Sequence, residues 1–186
     1  MSIKASILII MLPFLGAGCI NPAPSRTTDF NQQTNINSSH SMEISSDAFM
    51  NNQAIPRQYT CDGSDSSPNL DFNGVPTGTK SLVLIVDDPD APGGTFDHWI
   101  LFNIPPQTTG ISPGGSAGTV GKNSFGKIAY GGPCPPDREH RYFFKLYALD
   151  AELALQTGTS KKSVEEAMQG HILDQAVLIG TYDRPR

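Results

Sequence analysis

Residues 87–103 (DDPDAPGGTFDHWILFN) constrain the fold more than any other stretch of the chain. They follow the apolar run 81–86 and lead into a second apolar run that begins at Trp99. Between the two runs, the prolines fix their own φ and disfavour helix at the residue before each, and Gly93 and Gly94 favour a turn. The stretch therefore predicts a strand, a stiff acidic turn, a loop and a second strand.

A second loop has a similar composition. Residues 131–142 (GGPCPPDREHRY) combine glycines and prolines with a histidine and a tyrosine at the start of the apolar run 142–149. Such a loop is stiff, because proline restricts both its own backbone and that of the residue before it. If the two stiff loops face each other, they form a pocket.

The remaining patterns predict a mainly β fold. Strands are predicted at 42–45, 81–86, 99–104, 142–149 and 176–181. One helix is predicted at about 163–171, with Ser160 or Ser163 as its N-cap and Gly170 near its end. We expect an antiparallel β-sandwich with this small helical element near the C-terminus.

The chain resembles the phosphatidylethanolamine-binding protein family, and more narrowly its bacterial Raf-kinase-inhibitor-like branch. The resemblance rests on DPDAP with a His-aromatic strand behind it, on GGPCPP followed by HRY, and on residues 59–63 (YTCDG) with 67–70 (SPNL). It extends from about Met42 to the C-terminus. It implies a large central sheet flanked by a smaller one.

The resemblance also implies that Asp88, His98, Pro136, His140 and Tyr142 form a ligand pocket. Imidazole N–H groups, a phenol and backbone N–H groups of a glycine-rich turn are donors that suit a phosphate. A carboxylate near such an anion repels it unless the carboxylate faces a histidine. We therefore expect Asp88 to orient His98.

Several residues near the predicted pocket are expected to have structural roles. Asp90 is expected to cap the turn, Arg141 to form an ion pair under the loop, and Trp99 to lie in the core. The Gly/Ser-rich segment 107–126 contains no P-loop and is interpreted as a mobile flap beside the pocket, with an inert surface loop as the alternative.

Cys61 and Cys134 lie in segments that the resemblance places beside the ligand site. In an exported protein these two cysteines are compatible with a disulfide, and two buried thiols are the alternative. No CxxC or Cys/His spacing supports a zinc site.

The first 40 residues are predicted to lie outside the folded domain, which spans 41–186. Residues 1–18 have the charge, the short apolar run and the small residues of a lipoprotein signal peptide, although the lipobox before Cys19 is degenerate. Cys19 is the expected lipidation site, and 19–40 form a flexible tether. The prediction is an exported bacterial lipoprotein, in the outer membrane or at the cell surface rather than in the inner membrane; cleaved secretion and an uncleaved anchor are the alternatives.

The net charge of the chain reduces the number of functions to consider. The chain has a formal net charge of −5 and no basic run longer than the pair Lys161 and Lys162, which argues against nucleic-acid binding. We expect a non-enzymatic binding module for a small anion or a phosphorylated head group, without a cofactor. A modulator of a protein partner, such as a kinase or protease inhibitor, is the alternative.

A metal-dependent hydrolase is the least favoured hypothesis. Asp88, Asp90, His98 and His140 are side chains of the kinds that bind a divalent metal. The sequence contains neither HExxH nor GxSxG, so no familiar hydrolase motif supports this use of them.

Overall fold

The computed structural model describes residues 41–185. The predicted signal peptide (1–18), the lipidation site Cys19 and the tether (19–40) lie outside these residues. Within the described part, no helix combines the length and the apolar character needed to cross a membrane.

Two β-sheets and one short helix make up the described residues. The strands are β1 (Glu43–Ser45), β2 (Gln53–Ala54), β3 (Leu70–Asn73), β4 (Ser81–Asp88), β5 (Phe96–Ile104), β6 (Gly110–Ile111), β7 (Thr119–Val120), β8 (His140–Leu149) and β9 (Ile172–Tyr182). Helix α1 spans Lys161–Met168, and a 3₁₀ turn spans Arg57–Tyr59. The mainly β class with a small helical element is confirmed.

The large sheet has the strand order β2-β9-β8-β4-β5-β7, and the small sheet has the order β1-β3-β6. All strand pairs are antiparallel except β2 and β9, which are parallel. The expected large sheet flanked by a smaller one is therefore present. The sandwich is antiparallel as expected, apart from this one pair of two residues on each strand.

The large sheet is covered on both faces, so its central strand can be apolar throughout. All eight residues of β4 are buried. On one face, Leu84 and Val86 join residues of the small sheet, such as Phe72, in the main core. On the other face, Val83 and Ile85 pack with a smaller cluster that includes helix α1. Burial on both faces explains the continuous apolar run in the sequence.

Helix α1 begins and ends earlier than predicted. Ser160 is the N-cap, and its side chain accepts a hydrogen bond from the backbone N–H of Ser163. The helix ends at Met168, and Gly170 follows with φ +80°. Glycine adopts that left-handed conformation without steric cost, so it leads the chain out of the helix.

A disulfide ties the two loops that flank the predicted site. Cys61 and Cys134 are bonded, with their Cα atoms 5.5 Å apart. The backbone N–H of Cys61 donates to the carbonyl of Pro133 at 3.1 Å, and the Tyr130 hydroxyl donates to the carbonyl of Tyr59 at 2.8 Å. The loop after the 3₁₀ turn therefore holds residues 130–134 in place.

Removing this disulfide should destabilise the domain. The bond joins residues 73 positions apart, and closing a loop of that size typically stabilises a protein by about 2–4 kcal/mol. The double variant Cys61→Ser/Cys134→Ser should therefore lose about that much unfolding free energy in urea denaturation. An unchanged midpoint and slope would show that the surrounding hydrogen bonds hold the loops without it.

Candidate functional site

A β-bulge places His98 at the site. In the pairing of β4 with β5, Val86 lies opposite Trp99 and Asp87 lies opposite Asp97, so His98 is an extra residue. Side chains alternate between the faces of a regular strand, and a bulge interrupts that alternation. As a result, His98 and Trp99 both contact residues on the side of the main core, whereas Asp97 pairs with Lys161 beside the helix.

His98 is held by a backbone carbonyl. Its side chain is only 3% exposed, and Nδ1 lies 2.7 Å from the oxygen of Gly131. A carbonyl only accepts, so Nδ1 carries the proton and donates it. Burial lowers the pKa of His98, and the bond to Gly131 and the charge of Asp88 oppose this only in part. At neutral pH the ring is therefore uncharged, and its Nε2 is an acceptor.

The expectation that Asp88 orients His98 is wrong. Oδ2 of Asp88 lies 2.7 Å from Nδ1 of His140. Strand β4 lies between β8 and β5 in the sheet, so a carboxylate at its end has a histidine on either side. The Gly131 carbonyl already occupies Nδ1 of His98, and Asp88 bonds to His140.

His140 lies between two carboxylates. It is fully buried, and its Nε2 lies 2.9 Å from Oδ1 of Asp137. Burial lowers the pKa of His140, but the hydrogen bonds to Asp88 and Asp137 together outweigh it, so the pKa is raised. With both nitrogens donating to carboxylates, the ring is a cation that offsets the charge of Asp88.

The turn after β4 is capped by Asp88, not by Asp90 as expected. Oδ1 of Asp88 accepts from the backbone N–H of Asp90 at 2.8 Å. The Asp90 carboxylate instead takes two bonds from the Arg141 guanidinium, from Nε at 2.8 Å and from Nη2 at 2.7 Å. The side-chain bonds to Arg141 lower the pKa of Asp90 to about 2. The ion pair expected for Arg141 is thus confirmed, and it fastens the turn to β8.

A pocket of about 480 Å³ opens in front of these residues. Asp88, His98 and Pro136 of the predicted set line it, together with residues 91–95. His140 and Tyr142 are fully buried and are not among the lining residues. They support the site from behind: His140 bonds to Asp88, and the ring of Tyr142 meets that of His98 edge-on at 5.2 Å.

Aromatic side chains that the sequence reasoning missed form part of the pocket wall. Phe96 and Phe125 line it, with ring centroids 4.7 Å apart and both rings next to His98. Phe125 is 43% exposed and belongs to the segment 107–126 that was interpreted as a flap. Phe125 is the one residue of this segment that lines the pocket, and the mobility of the segment stays a prediction. A phenylalanine at the end of that glycine-rich segment was the available signal.

Within the described residues, the four side chains suggested for a metal-dependent hydrolase are not arranged as a metal site. Across residues 41–185, no three His, Cys, Asp or Glu side chains are placed to hold a metal ion. His140 and Asp90 are instead bonded to Asp88, Asp137 and Arg141.

The raised pKa of His140 predicts a loss of stability at alkaline pH. The ion pairs of His140 stabilise the fold fully below about pH 6.5, which is the pKa of histidine in the unfolded chain. This stabilisation is lost as the pH rises through the higher pKa of His140 in the folded protein. The unfolding free energy should fall in this range, by at most about 1.4 kcal/mol per pH unit. Urea denaturation at a series of pH values measures the slope.

His140→Gln should remove this slope, whereas His171→Gln, which replaces an exposed histidine on the surface, should keep it. An equal slope in the wild type and in His140→Gln would contradict the assignment of charge to His140.

The sequence profile of the phosphatidylethanolamine-binding protein family matches residues 45–183. A UPF0098 protein of Methanothermobacter thermautotrophicus is 50% identical over 152 residues, which cover 77% of this chain and 99% of the relative. A UPF0098 protein of Aquifex aeolicus is 51% identical over 152 residues, which cover 77% of this chain and 89% of the relative.

Two solved structures are similar to the described domain. CT736 of Chlamydia trachomatis, a phosphatidylethanolamine-binding protein homologue, matches with a TM-score of 0.76 at 43% identity, over 78% of this chain and 99% of its own. YbcL of E. coli, a member of the mammalian family of that name, matches with a TM-score of 0.72 at 29% identity, over 77% of this chain and 99% of its own. The profile and the relatives together cover most of the chain. The chain therefore belongs to the phosphatidylethanolamine-binding protein family.

Proposed function

We propose that the pocket in front of His98 binds a small anion, either a free phosphate or a phosphorylated head group, and catalyses no reaction. The observation that carries the proposal is the fixed imidazole of His98 at the pocket wall, with Nδ1 bonded to Gly131. Its other nitrogen becomes a donor when the ring takes up a proton. The name of the family, phosphatidylethanolamine-binding, describes a ligand of this chemical class.

The charges around the pocket support an anionic ligand. Asp88 lines the pocket, but its charge is offset by the buried cation of His140. Asp90 is likewise paired with Arg141. Nζ of Lys127 lies 6.0 Å from the ring centroid of Phe125, which lines the pocket, and it adds a positive charge nearby. An anion therefore meets paired carboxylates and a cation, not unpaired negative charge.

The pocket wall favours an anion that carries carbon. Phe96, Phe125, Pro92 and Pro136 supply apolar surface on the sides of the pocket. Inorganic phosphate has no apolar part that would bury this surface, whereas the carbon chain of a phosphomonoester or phosphodiester does. Phosphorylethanolamine should therefore bind more tightly than inorganic phosphate.

The hydrogen bonds support binding without catalysis. Both nitrogens of His140 are bonded to carboxylates, and Nδ1 of His98 is bonded to a carbonyl. Neither imidazole is hydrogen-bonded to a hydroxyl within residues 41–185, so neither activates a serine, threonine or tyrosine as a nucleophile.

Anion affinity should rise in acid. Because burial lowers the pKa of His98, its Nε2 gains a proton only below about pH 6.5, and only then does it donate to an anion. Calorimetric titration with sulfate, whose own charge is constant in this range, should show an affinity that increases as pH falls, by at most about tenfold per pH unit.

His98→Gln should abolish this pH dependence, and His171→Gln should leave it unchanged. Equal sulfate affinity in the wild type at acidic and neutral pH would remove His98 protonation from the proposal. Phosphorylethanolamine that binds no tighter than inorganic phosphate would contradict the role of the aromatic wall.

We also propose that the chain is an exported lipoprotein with Cys19 acylated. The support is the sequence alone: a short apolar run, then Gly16, Ala17 and Gly18 directly before the cysteine. In a bacterial host grown with labelled palmitate, the wild type should incorporate label into the membrane fraction. Cys19→Ala should lose the label, and the matched Cys61→Ser/Cys134→Ser variant should keep it. Label retained in Cys19→Ala would contradict acylation at this residue.

A further inference from the structure

The Nε2 atom of His98 is an acceptor that the protein leaves without a donor. The ring proton lies on Nδ1, which donates to the carbonyl of Gly131 at 2.7 Å. Within residues 41–185, no group donates a hydrogen bond to Nε2. The hydroxyl of Tyr142 also lacks a partner but is sealed from solvent, whereas Nε2 retains accessible surface on a residue that lines the pocket. A ligand in the pocket can therefore bond to Nε2.

The groups around the ring leave it uncharged at neutral pH. Burial lowers the pKa of His98, and it outweighs the carbonyls at 131–132 and the charges of Asp88 and Asp87, which raise the pKa. From strand β8 the ring meets Tyr142, which burial keeps un-ionised by raising its pKa. The other two rings next to His98 belong to phenylalanines and carry no charge. At neutral pH, Nε2 is therefore an acceptor and not a donor.

The pocket offers a ligand few donors. Among its lining residues, the side chains that form hydrogen bonds are those of Asp88, Thr95 and His98, and no lysine or arginine is present. Both oxygens of Asp88 already accept from the protein, Oδ1 from the N–H of Asp90 and Oδ2 from His140. The exposed hydroxyl of Thr95 is the only side-chain donor of the lining at neutral pH. The pocket therefore suits an anion of low charge that carries a donor of its own.

The chemistry of phosphate esters separates two classes of ligand. A hydrogen bond between Nε2 and an anion requires one proton, which either the ring or the anion supplies. Sulfate and phosphodiesters have no proton to supply near neutral pH. A phosphomonoester has one, because its second pKa is about 6. Its singly charged form carries a P–O–H group that donates to Nε2, while another oxygen accepts from the hydroxyl of Thr95.

We propose that the anion pocket selects phosphomonoesters over phosphodiesters, because the P–O–H group of a monoester donates to the open Nε2 of His98. This inference rests on the proposed function, since it concerns the same pocket, and it narrows the ligand to one class of phosphate. Phosphatidylethanolamine is itself a phosphodiester and lacks this donor, whereas phosphorylethanolamine is a monoester and has it.

Calorimetric titration from about pH 5 to about pH 8 tests the selectivity with four probes that need no variant. These are phosphorylethanolamine, the diester glycerophosphorylethanolamine, 2-aminoethylphosphonate and sulfate. At pH 6, the monoester should bind roughly five- to a hundredfold tighter than the diester, the effect of leaving one buried acceptor without a donor.

The pH profiles of the four probes should differ in a fixed order. As the pH rises, affinity for sulfate and the diester should fall first, through the lowered pKa of His98. Affinity for phosphorylethanolamine should fall only above about pH 6, where the ligand loses its second proton. Affinity for the phosphonate should fall last, because a phosphonate holds its second proton to a higher pH than the ester does.

Two variants separate the roles of the lining side chains. His98→Gln supplies an amide N–H that donates to any anion oxygen, so the preference for the monoester should disappear. Thr95→Val removes a donor that both ligands use, so it should weaken both by roughly three- to tenfold and keep their ratio. His171→Gln, which changes an exposed histidine outside the pocket, should bind all four probes as the wild type does.

Three results would overturn the selectivity. They are equal affinity for monoester and diester at pH 6, monoester affinity that increases above pH 6 as for a doubly charged ligand, and a preference that survives in His98→Gln. If sulfate binds more tightly in acid but the two esters bind equally, the selectivity fails and the anion pocket stands. If no probe binds at any pH, the proposed function fails with it.

Discussion

The extra residue at His98 in strand β5 is the constraint on which the rest of the site depends. Without the bulge, His98 and Trp99 would point to opposite faces of a sheet that is buried on both. An imidazole on the helix side would lie among Asp87, Asp97 and Lys161, not beside Phe96 and Tyr142. The bulge thus brings His98 to the pocket wall while the next residue, Trp99, stays in the core.

The surroundings of the two histidines give them different charges. His98 is buried next to a carbonyl and is uncharged at neutral pH, while His140 is buried between carboxylates and is charged. The same type of side chain therefore has two roles. The ring of His98 lies at the pocket wall, and the ring of His140 offsets the charge of Asp88 behind it. If His140 were uncharged like His98, the buried carboxylate of Asp88 would have no cation beside it. A buried charge without a partner is strongly destabilising.

Most of the fold was predictable from local patterns, because an apolar run or a proline-rich turn can be recognised within a few consecutive residues. The central strands at 81–86 and 99–104 and the pairing of Arg141 under its loop were foreseen in this way. The partner of Asp88 was not, because it depends on strand order. His140 is 52 residues away in sequence but lies on the neighbouring strand, and His98 was already bonded by Gly131.

The pocket wall was harder to predict for the same reason. Phe125 comes from a loop whose position follows from a long-range contact, the hydrogen bond from the N–H of Ser124 to the carbonyl of Asp97. The hydrophobic repeat of two residues in a strand, or of 3.6 residues in a helix, does not identify a side chain in such a loop. A glycine-rich segment reveals that the backbone is unusual there, but it does not reveal which cavity the next large residue will line.

These long-range bonds also explain how loops can form a binding site. Turn 88–90 is fastened to β8 by Arg141, and the loop at 130–134 is fastened to residues 59–65 by a disulfide and three hydrogen bonds. Ordering a free loop costs roughly 1–2 kcal/mol per residue in backbone entropy. Because these loops are already ordered by folding, a small ligand does not have to bear that cost when it binds. A ligand of few atoms has little interaction energy to offset the ordering of loops, so the proposed anion site needs turns that are ordered before the ligand binds.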